Sequence, residues 1–140
     1  MLRKHQSSRS GFTLVEIMIV VAIIALLASI AVPSFLRARK RSQATATLES
    51  ARMLDDAKSQ YAIENGKAGT DTFANPDILP YLKRGTKLYN QMLTGTSKDE
   101  LGHDFIYGTI DDPIKVDPTT QSALADALGA NPDEFWGAYK

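Results

Sequence analysis

The longest hydrophobic segment of the chain is an uninterrupted run of 20 residues, 17–36, none of which carries a charge. As an α-helix rising about 1.5 Å per residue, this run spans roughly 30 Å, which is the thickness of the hydrocarbon core of a bilayer. A helix that is apolar on every side must be surrounded by lipid or by protein, and the remaining residues are too few to surround it. The pattern therefore predicts a membrane-spanning helix rather than the core helix of a soluble domain.

Beyond position 41 the hydrophobic residues become periodic, at spacings of three and four positions up to Tyr61. This is the period of one face of an α-helix, and Asn65-Gly66 is a typical C-terminal stop. We predict a single helix from about residue 13 to about residue 65, apolar in its first half and amphipathic in its second half. The predicted amphipathic face consists of Ala44, Leu48, Ala51, Leu54, Ala57 and Tyr61.

Residues 66–140 form a small C-terminal head, too short to build a substantial core without a wall supplied by that face. The predicted elements are a helix over 77–83, strands over 105–110 and 114–116 joined at Asp111-Asp112-Pro113, a helix over 120–128, and a final turn at Asn131-Pro132 that carries Phe135 and Trp136. The predicted fold class is α+β, with the long helix packed on a head that holds a short antiparallel sheet.

The composition contains few residues of the kinds that serve in covalent catalysis or metal binding. Zero cysteines exclude a disulfide framework, thiolate catalysis and thiolate zinc sites, and the two histidines, His5 and His103, are too far apart in the sequence to suggest a metal site. No nucleophile, base and orienting group are grouped along the chain, so we predict neither an enzyme nor a cofactor.

The charges are unevenly distributed although the 16 basic and 16 acidic residues balance. Residues 1–41 carry a net charge of +6 and residues 99–140 a net charge of −7. Four basic residues follow the apolar run: Arg37, Arg39, Lys40 and Arg41. No aromatic residues are interleaved to stack on bases, and the acidic tail repels DNA, so this cluster favours a membrane interface over a nucleic-acid site.

Glu16 lies at the start of the apolar segment, where an ionised group is costly unless it is paired or functional. No basic residue between Gly11 and Arg37 can neutralise it. Its partner must be a lipid headgroup, another chain or a newly created N-terminal amine. Extension of the side chain toward the membrane surface is the alternative.

A secretory signal peptide, cut after Ser29-Ile30-Ala31, is a second interpretation of the basic N-terminus and the apolar run. The run is long for such a signal and Glu16 lies near its start. The helical pattern also continues past Pro33 without a loop in which a peptidase could cut. These features count against this interpretation.

The segment KHQSSRSG, residues 4–11, followed by FTLVE, resembles the class III signal of type IV pilins and type II secretion pseudopilins. That signal is a short basic leader ending in Gly, then Phe, then Glu as the fifth mature residue. The resemblance implies that a prepilin peptidase cuts between Gly11 and Phe12 on the cytoplasmic face and that the new Phe12 amine is N-methylated. It divides the chain into a leader (1–11), a transmembrane half-helix (12–36), an amphipathic half-helix (37–65) and the head (66–140).

The same resemblance gives roles to three residues. Phe12 and Glu16 are four positions apart on one helix face, and in a filament the Glu16 carboxylate can accept a charge-assisted hydrogen bond from the Phe12 ammonium of a neighbour. Pro33 deprives the Ser29 carbonyl of its helical donor, so a kink is expected there, with a helix break at the membrane edge as the alternative.

The implied function is a structural subunit of a helical pilus-like filament, stored in the inner membrane with its leader cytoplasmic and its head periplasmic. The positive-inside rule weakly favours the opposite orientation, and the leader overrules it. The implied partners are itself, other pilin-like subunits, the prepilin peptidase and methylase, the inner-membrane assembly platform and the lipid bilayer, with nucleic acid disfavoured. The alternative is a minor pilin-like protein whose head binds DNA or a secreted substrate.

Within the family, a major G-type pseudopilin is favoured, because many type IV pilins close their C-terminal loop with a disulfide that this chain cannot make. Major pseudopilins carry calcium in a C-terminal loop, and Asp111, Asp112 and Asp117 could contribute ligands to such a site. Aspartate before proline is also ordinary turn chemistry. We expect these aspartates to be turn residues.

Overall fold

The computed structural model describes residues 11–140 and contains five α-helices in that range. They are α1 (Leu14–Asn65), α2 (Asn75–Ile78), α3 (Lys87–Leu93), α4 (Pro118–Leu128) and α5 (Pro132–Trp136), with 3₁₀ turns at Leu79–Tyr81 and Gly137–Tyr139. The chain divides into two compact units, the first ending at Leu36 and the second, which we call the C-terminal unit, comprising Arg37–Lys140.

The predicted long helix is confirmed, because α1 extends over 52 residues from Leu14 to Asn65. Among the described residues, it is the one helix long and apolar enough to cross a membrane. Every side chain from Gly11 to Arg39 is exposed in the single chain. An apolar surface of this extent requires lipid or other chains around it.

The second half of α1 supplies one wall of the core of the C-terminal unit. Five of the six predicted positions are buried, and Tyr61 lies half-buried at the margin. Four of the buried residues of α1 are alanines, namely Ala44, Ala51, Ala57 and Ala62. Side chains this small allow the head to approach the helix axis closely, and the larger core residues come from the head: Ile78, Leu82, Leu88, Met92, Phe105, Ile114, Val116, Leu124 and Trp136.

The predicted antiparallel sheet does not form within residues 11–140, where the backbone pairs as two isolated antiparallel bridges. One bridge joins Ile106 and Lys115, each of which donates its N–H to the other's carbonyl at 2.9 Å. The next hydrogen-bonded position in this register, Gly108, faces Pro113, which has no N–H to donate. On the other side the register ends at Asp117, which is the N-cap of α4. The turn lies where the sequence predicts it, but the ladder across it consists of the single pair Ile106–Lys115.

The short helices depart from the predicted bounds in specific ways. The helix predicted over 77–83 is instead α2 followed by a 3₁₀ turn, and α3 was not predicted. The C-terminal segment is closed without a disulfide, because the Val116 N–H donates to the Tyr139 carbonyl at 2.8 Å and Trp136 is almost fully buried.

Candidate processing and assembly site

The N-terminus of α1 is built around a reciprocal pair of hydrogen bonds between Thr13 and Glu16. The Thr13 hydroxyl accepts from the Glu16 N–H at 3.2 Å, and the Glu16 carboxylate accepts from both the N–H and the hydroxyl of Thr13 at 2.8 Å. Since α1 begins at Leu14, Thr13 is the N-cap and Glu16 the third helical residue, which is the geometry of a capping box. In the single chain the Glu16 carboxylate therefore has a partner of its own.

Gly11 and Phe12 precede this cap in backbone that is not helical. The Phe12 side chain is 86% exposed, and a Cβ at Gly11 would meet no atom within 4 Å. The peptide bond between them is thus accessible and held in no regular structure. The remainder of the predicted leader, residues 1–10, lies outside the described residues.

A shallow apolar depression lies beside the capping box. It is lined by Phe12, Glu16, Ile17, Ile19 and Val20. The structure therefore brings the two predicted assembly residues, Phe12 and Glu16, to one surface at the start of α1. Sequence reasoning missed Thr13, although the pattern Thr-x-x-Glu before an apolar run is the sequence sign of a capping box.

Pro33 lies inside α1, and the helix continues past it to Asn65. The chain therefore does not break at this point, which was the alternative to a kink. Four residues earlier, the Ser29 hydroxyl donates to the Leu26 carbonyl at 2.6 Å. The kink itself remains a prediction.

The basic cluster after the apolar run is exposed at Arg37, Arg39 and Arg41. Lys40 differs from these arginines, since its Nζ contacts both carboxylate oxygens of Asp126 in α4, at 2.9 and 3.0 Å. That hydrogen bond holds the pKa of Asp126 below its ordinary value, with a smaller contribution from Arg37. Lys40 thus ties α1 to α4 within the C-terminal unit.

The three aspartates considered for calcium have separate partners. Asp112 accepts from the N–H and the hydroxyl of Thr109 at 3.0 and 2.9 Å, and Asp117 caps α4 by accepting from the Thr119 N–H at 2.7 Å. These bonds hold the pKa of both carboxyls below their ordinary value. The Asp111 carboxylate lies against Gly69, where a Cβ would overlap it. Between residues 11 and 140 no three acidic or histidine side chains are grouped as a metal site.

Two buried polar groups that sequence reasoning did not assign stabilise the C-terminal unit. Lys58 is 2% exposed, and its Nζ donates to the Asp112 carbonyl and pairs with Asp55 at 2.7 Å. Asp99 is 4% exposed and accepts from the N–H groups of Leu101 and His103 at 2.8 and 3.0 Å. Both groups hold loops in place, Lys58 at Asp112 and Asp99 at the turn from residue 99 to residue 103.

His103 belongs to the same turn. Thr120, at the start of α4, donates its hydroxyl to Asp99 and lies 2.7 Å from Nδ1 of His103. Because the Thr120 proton goes to Asp99, the His103 Nδ1 must be the donor to Thr120. His103 is therefore a bridge between the turn and α4, and His5 lies outside the described residues.

Comparison with known proteins decides what the start of the chain is. Residues 6–32 match the family described as "Prokaryotic N-terminal methylation motif". This segment is a prokaryotic N-terminal methylation motif. The match spans the predicted cleavage position, the capping box and most of the apolar half of α1.

Similarity to individual proteins extends further but remains partial. The chain is 49% identical over 57 residues to the "Type IV wide pilus major component PilA4" of Thermus thermophilus, which is 39% of this chain and 42% of the relative. It is 40% identical over 68 residues to the "Type IV major fimbrial protein FimA" of Dichelobacter nodosus, covering 49% of this chain and 43% of the relative. It is also 40% identical over 57 residues to the "Type IV major pilin protein PilA" of Myxococcus xanthus, covering 41% and 26%.

The chain thus spans less than half the length of the curated relatives it matches. No solved structure matches it. The similarity to type IV pilins is therefore confined to less than half of this chain and of each relative.

Proposed function

We propose that this chain is a structural subunit of a helical filament of the type IV pilus kind, rather than an enzyme. The observation that carries the proposal is a methylation motif over residues 6–32 that leads into an apolar helix whose surface the chain leaves uncovered. Such a surface suits two successive environments, the inner membrane before assembly and the packed centre of a filament afterwards. The relatives are named as major pilus components, which agrees with this role.

The first step is removal of the leader, residues 1–11, by a prepilin peptidase on the cytoplasmic side. A protease needs an extended and accessible peptide, and α1 begins two residues after Phe12. Cleavage between Gly11 and Phe12 leaves the apolar helix attached and makes the Phe12 nitrogen a new amine, which is the substrate for N-methylation. Methylation keeps the positive charge.

The second step is assembly, in which Glu16 acts. In the single chain its carboxylate accepts two hydrogen bonds from Thr13. A carboxylate has about four lone-pair sites, so it can also accept from the Phe12 ammonium of a neighbouring subunit. Pairing of these two charges offsets their burial and sets the axial register of subunits, as a single polar residue does in a coiled coil.

The remaining assignments follow from this role. The head is periplasmic before assembly, and the partners are other pilin-like subunits, the peptidase and methylase, and an inner-membrane assembly platform. The names of the relatives favour a pilus. The absence of cysteine favours a secretion pseudopilus with a G-type major subunit. Isolation of surface filaments long enough to be sheared from cells would support the pilus.

Substitution at Gly11 tests the processing step. Gly11 is exposed and precedes α1, and a Cβ there meets no atom within 4 Å, so we expect a loss of cleavage on substitution to report on peptidase recognition. We expect Gly11→Leu to keep the full-length mass in native host membranes. Gly11→Ala, the control with a small side chain, should still lose residues 1–11. Normal cleavage of Gly11→Leu, or a mature chain that starts at Val32, would contradict the proposal.

A further inference from the structure

The surface that the proposed function leaves unused is the ring of arginines at Arg37, Arg39 and Arg41, which we call the arginine ring. All three side chains are exposed, and within residues 11–140 none of them forms an ion pair. The neighbouring Lys40 is paired with Asp126 and so is already neutralised. Three positive charges on about one turn of α1 are therefore without an ion pair of their own among the described residues.

The position of the ring along the chain identifies its surroundings. Arg37 follows Leu36, the last residue of the apolar run, so the arginines occupy the first turn of α1 beyond the segment proposed to span the membrane. Phospholipid headgroups begin where the hydrocarbon core ends. Long basic side chains at such a position reach the phosphate level with their charged ends.

The angular arrangement favours a surrounding layer over a single protein partner. Arg37 and Arg41 are four residues apart and share one face of α1. Arg39 is two residues from each, which places it roughly 200° around a helix of 3.6 residues per turn. A partner protein that docks on one side would contact one face, whereas headgroups surround the helix.

We propose that the arginine ring binds the phosphate groups of anionic phospholipids and fixes the depth of the helix in the membrane before assembly. This inference rests on the proposed membrane-stored subunit. It also explains why four basic residues follow the span on the side where the positive-inside rule disfavours them, since these residues serve lipid contact and one intramolecular ion pair.

The test uses the full mature chain in vesicles of phosphatidylcholine that contain a small fraction of spin-labelled lipid. Electron paramagnetic resonance measures how strongly labelled phosphatidylglycerol is retained at the protein relative to labelled phosphatidylcholine. One basic residue near the membrane surface raises the affinity for an anionic lipid about fivefold. Most lipids around the helix do not touch an arginine, so the measured average is smaller. We expect labelled phosphatidylglycerol to be retained over labelled phosphatidylcholine by about threefold or more. Raising the salt concentration should weaken the preference by screening.

Two triple variants with the same change in net charge distinguish an effect of the arginine ring from an effect of the protein's net charge. Replacing Arg37, Arg39 and Arg41 together by Gln should bring the preference close to one. The control replaces Lys67, Lys83 and Arg84 by Gln, which are exposed cations of the head without an ion pair among the described residues. It should keep the wild-type preference.

Four outcomes would overturn the proposal. The first is a wild-type preference close to one, and the second is an equal loss in both triple variants. The third is loss of the preference on adding inorganic phosphate but not chloride of equal ionic strength, which would indicate a site for a free anion. The fourth is a ring variant that keeps the lipid preference but loses energy transfer between labelled copies, which would make the ring a contact between subunits.

Failure of the proposed function gives a different result. Carbonate extraction of the same vesicles shows whether the chain is inserted at all. A chain that is extracted contradicts the membrane-stored subunit, whereas a chain that stays inserted without a lipid preference contradicts the arginine ring alone.

Discussion

Thr13 and Glu16 allow the two roles of the Glu16 carboxylate to be separated by substitution. Glu16→Gln removes the charge but keeps a side-chain oxygen, and glutamine also serves at the third position of a capping box. Thr13→Val removes the hydroxyl that accepts from the Glu16 N–H at 3.2 Å and donates to its carboxylate at 2.8 Å, and it leaves the Glu16 charge in place. One variant thus affects charge pairing and the other affects the cap.

The expected magnitudes differ in a way that can be measured. Loss of an N-cap costs about 1 kcal/mol, so Thr13→Val should loosen the start of α1 and lower filament yield about fivefold at most. A hydrogen bond to a charged group contributes more than one between neutral groups, by roughly tenfold in equilibrium constant for each contact. Because the proposed pairing with Phe12 would recur in every subunit of a filament, Glu16→Gln should reduce the yield far more than Thr13→Val does.

The assay compares filaments sheared from cells with the amount of chain in the membrane, by quantitative immunoblot. Both variants should insert as well as the wild type, since neither adds a charge to the apolar run. If Glu16→Gln gave wild-type amounts of filament while Thr13→Val did not, Glu16 would be a capping residue and the proposed pairing with Phe12 would be refuted.

The remaining predictions concern the stability of the C-terminal unit, measured on that unit expressed alone by thermal and urea unfolding. Leu54 is fully buried, so Leu54→Ala should lower the free energy of unfolding of this unit by about 2–5 kcal/mol. Met53→Ala, at an exposed neighbouring position, should change it little. Equal effects of the two substitutions would place the core wall elsewhere. Asp55→Ala should destabilise by about 3 kcal/mol, because it leaves the buried Lys58 ammonium without its counter-ion, and a neutral result would mean that the Asp112 carbonyl suffices. The hydrogen bonds from Thr119 hold the pKa of Asp117 below its ordinary value, so the stability that the Asp117 carboxylate contributes is present above the ordinary pKa and is lost as the pH falls through the lowered one. The melting temperature should therefore fall in acid. The melting temperature of Asp117→Asn should fall less steeply than that of the wild type.

The sequence predicts the long helix well because its two halves carry two strong signals. An uncharged run of 20 residues and a face repeating every three or four residues both extend over many positions. The Thr13 cap could also be predicted from the sequence, since it depends only on Thr13 and Glu16, three positions apart. Local signals of this kind are independent of how the rest of the chain packs.

The head was harder to predict because its structure depends on distant contacts. Lys58 has the charge of a surface residue, and its burial depends on the carbonyl of Asp112, 54 positions away. The predicted strands have suitable β-propensity, but Pro113 and the α4 cap end their pairing after one bridge. Helix α3 has only seven residues, too few for a periodic pattern to identify it.

The central claim, that this chain is a processed filament subunit, is tested most directly by mass spectrometry of filaments sheared from the native host. We predict that the chain is present in them with residues 1–11 removed and with N-methylated Phe12 as its first residue. Absence of the chain from the filaments while it is abundant in the membrane, or its presence in the filaments with residues 1–11 still attached, would contradict its role as a processed filament subunit.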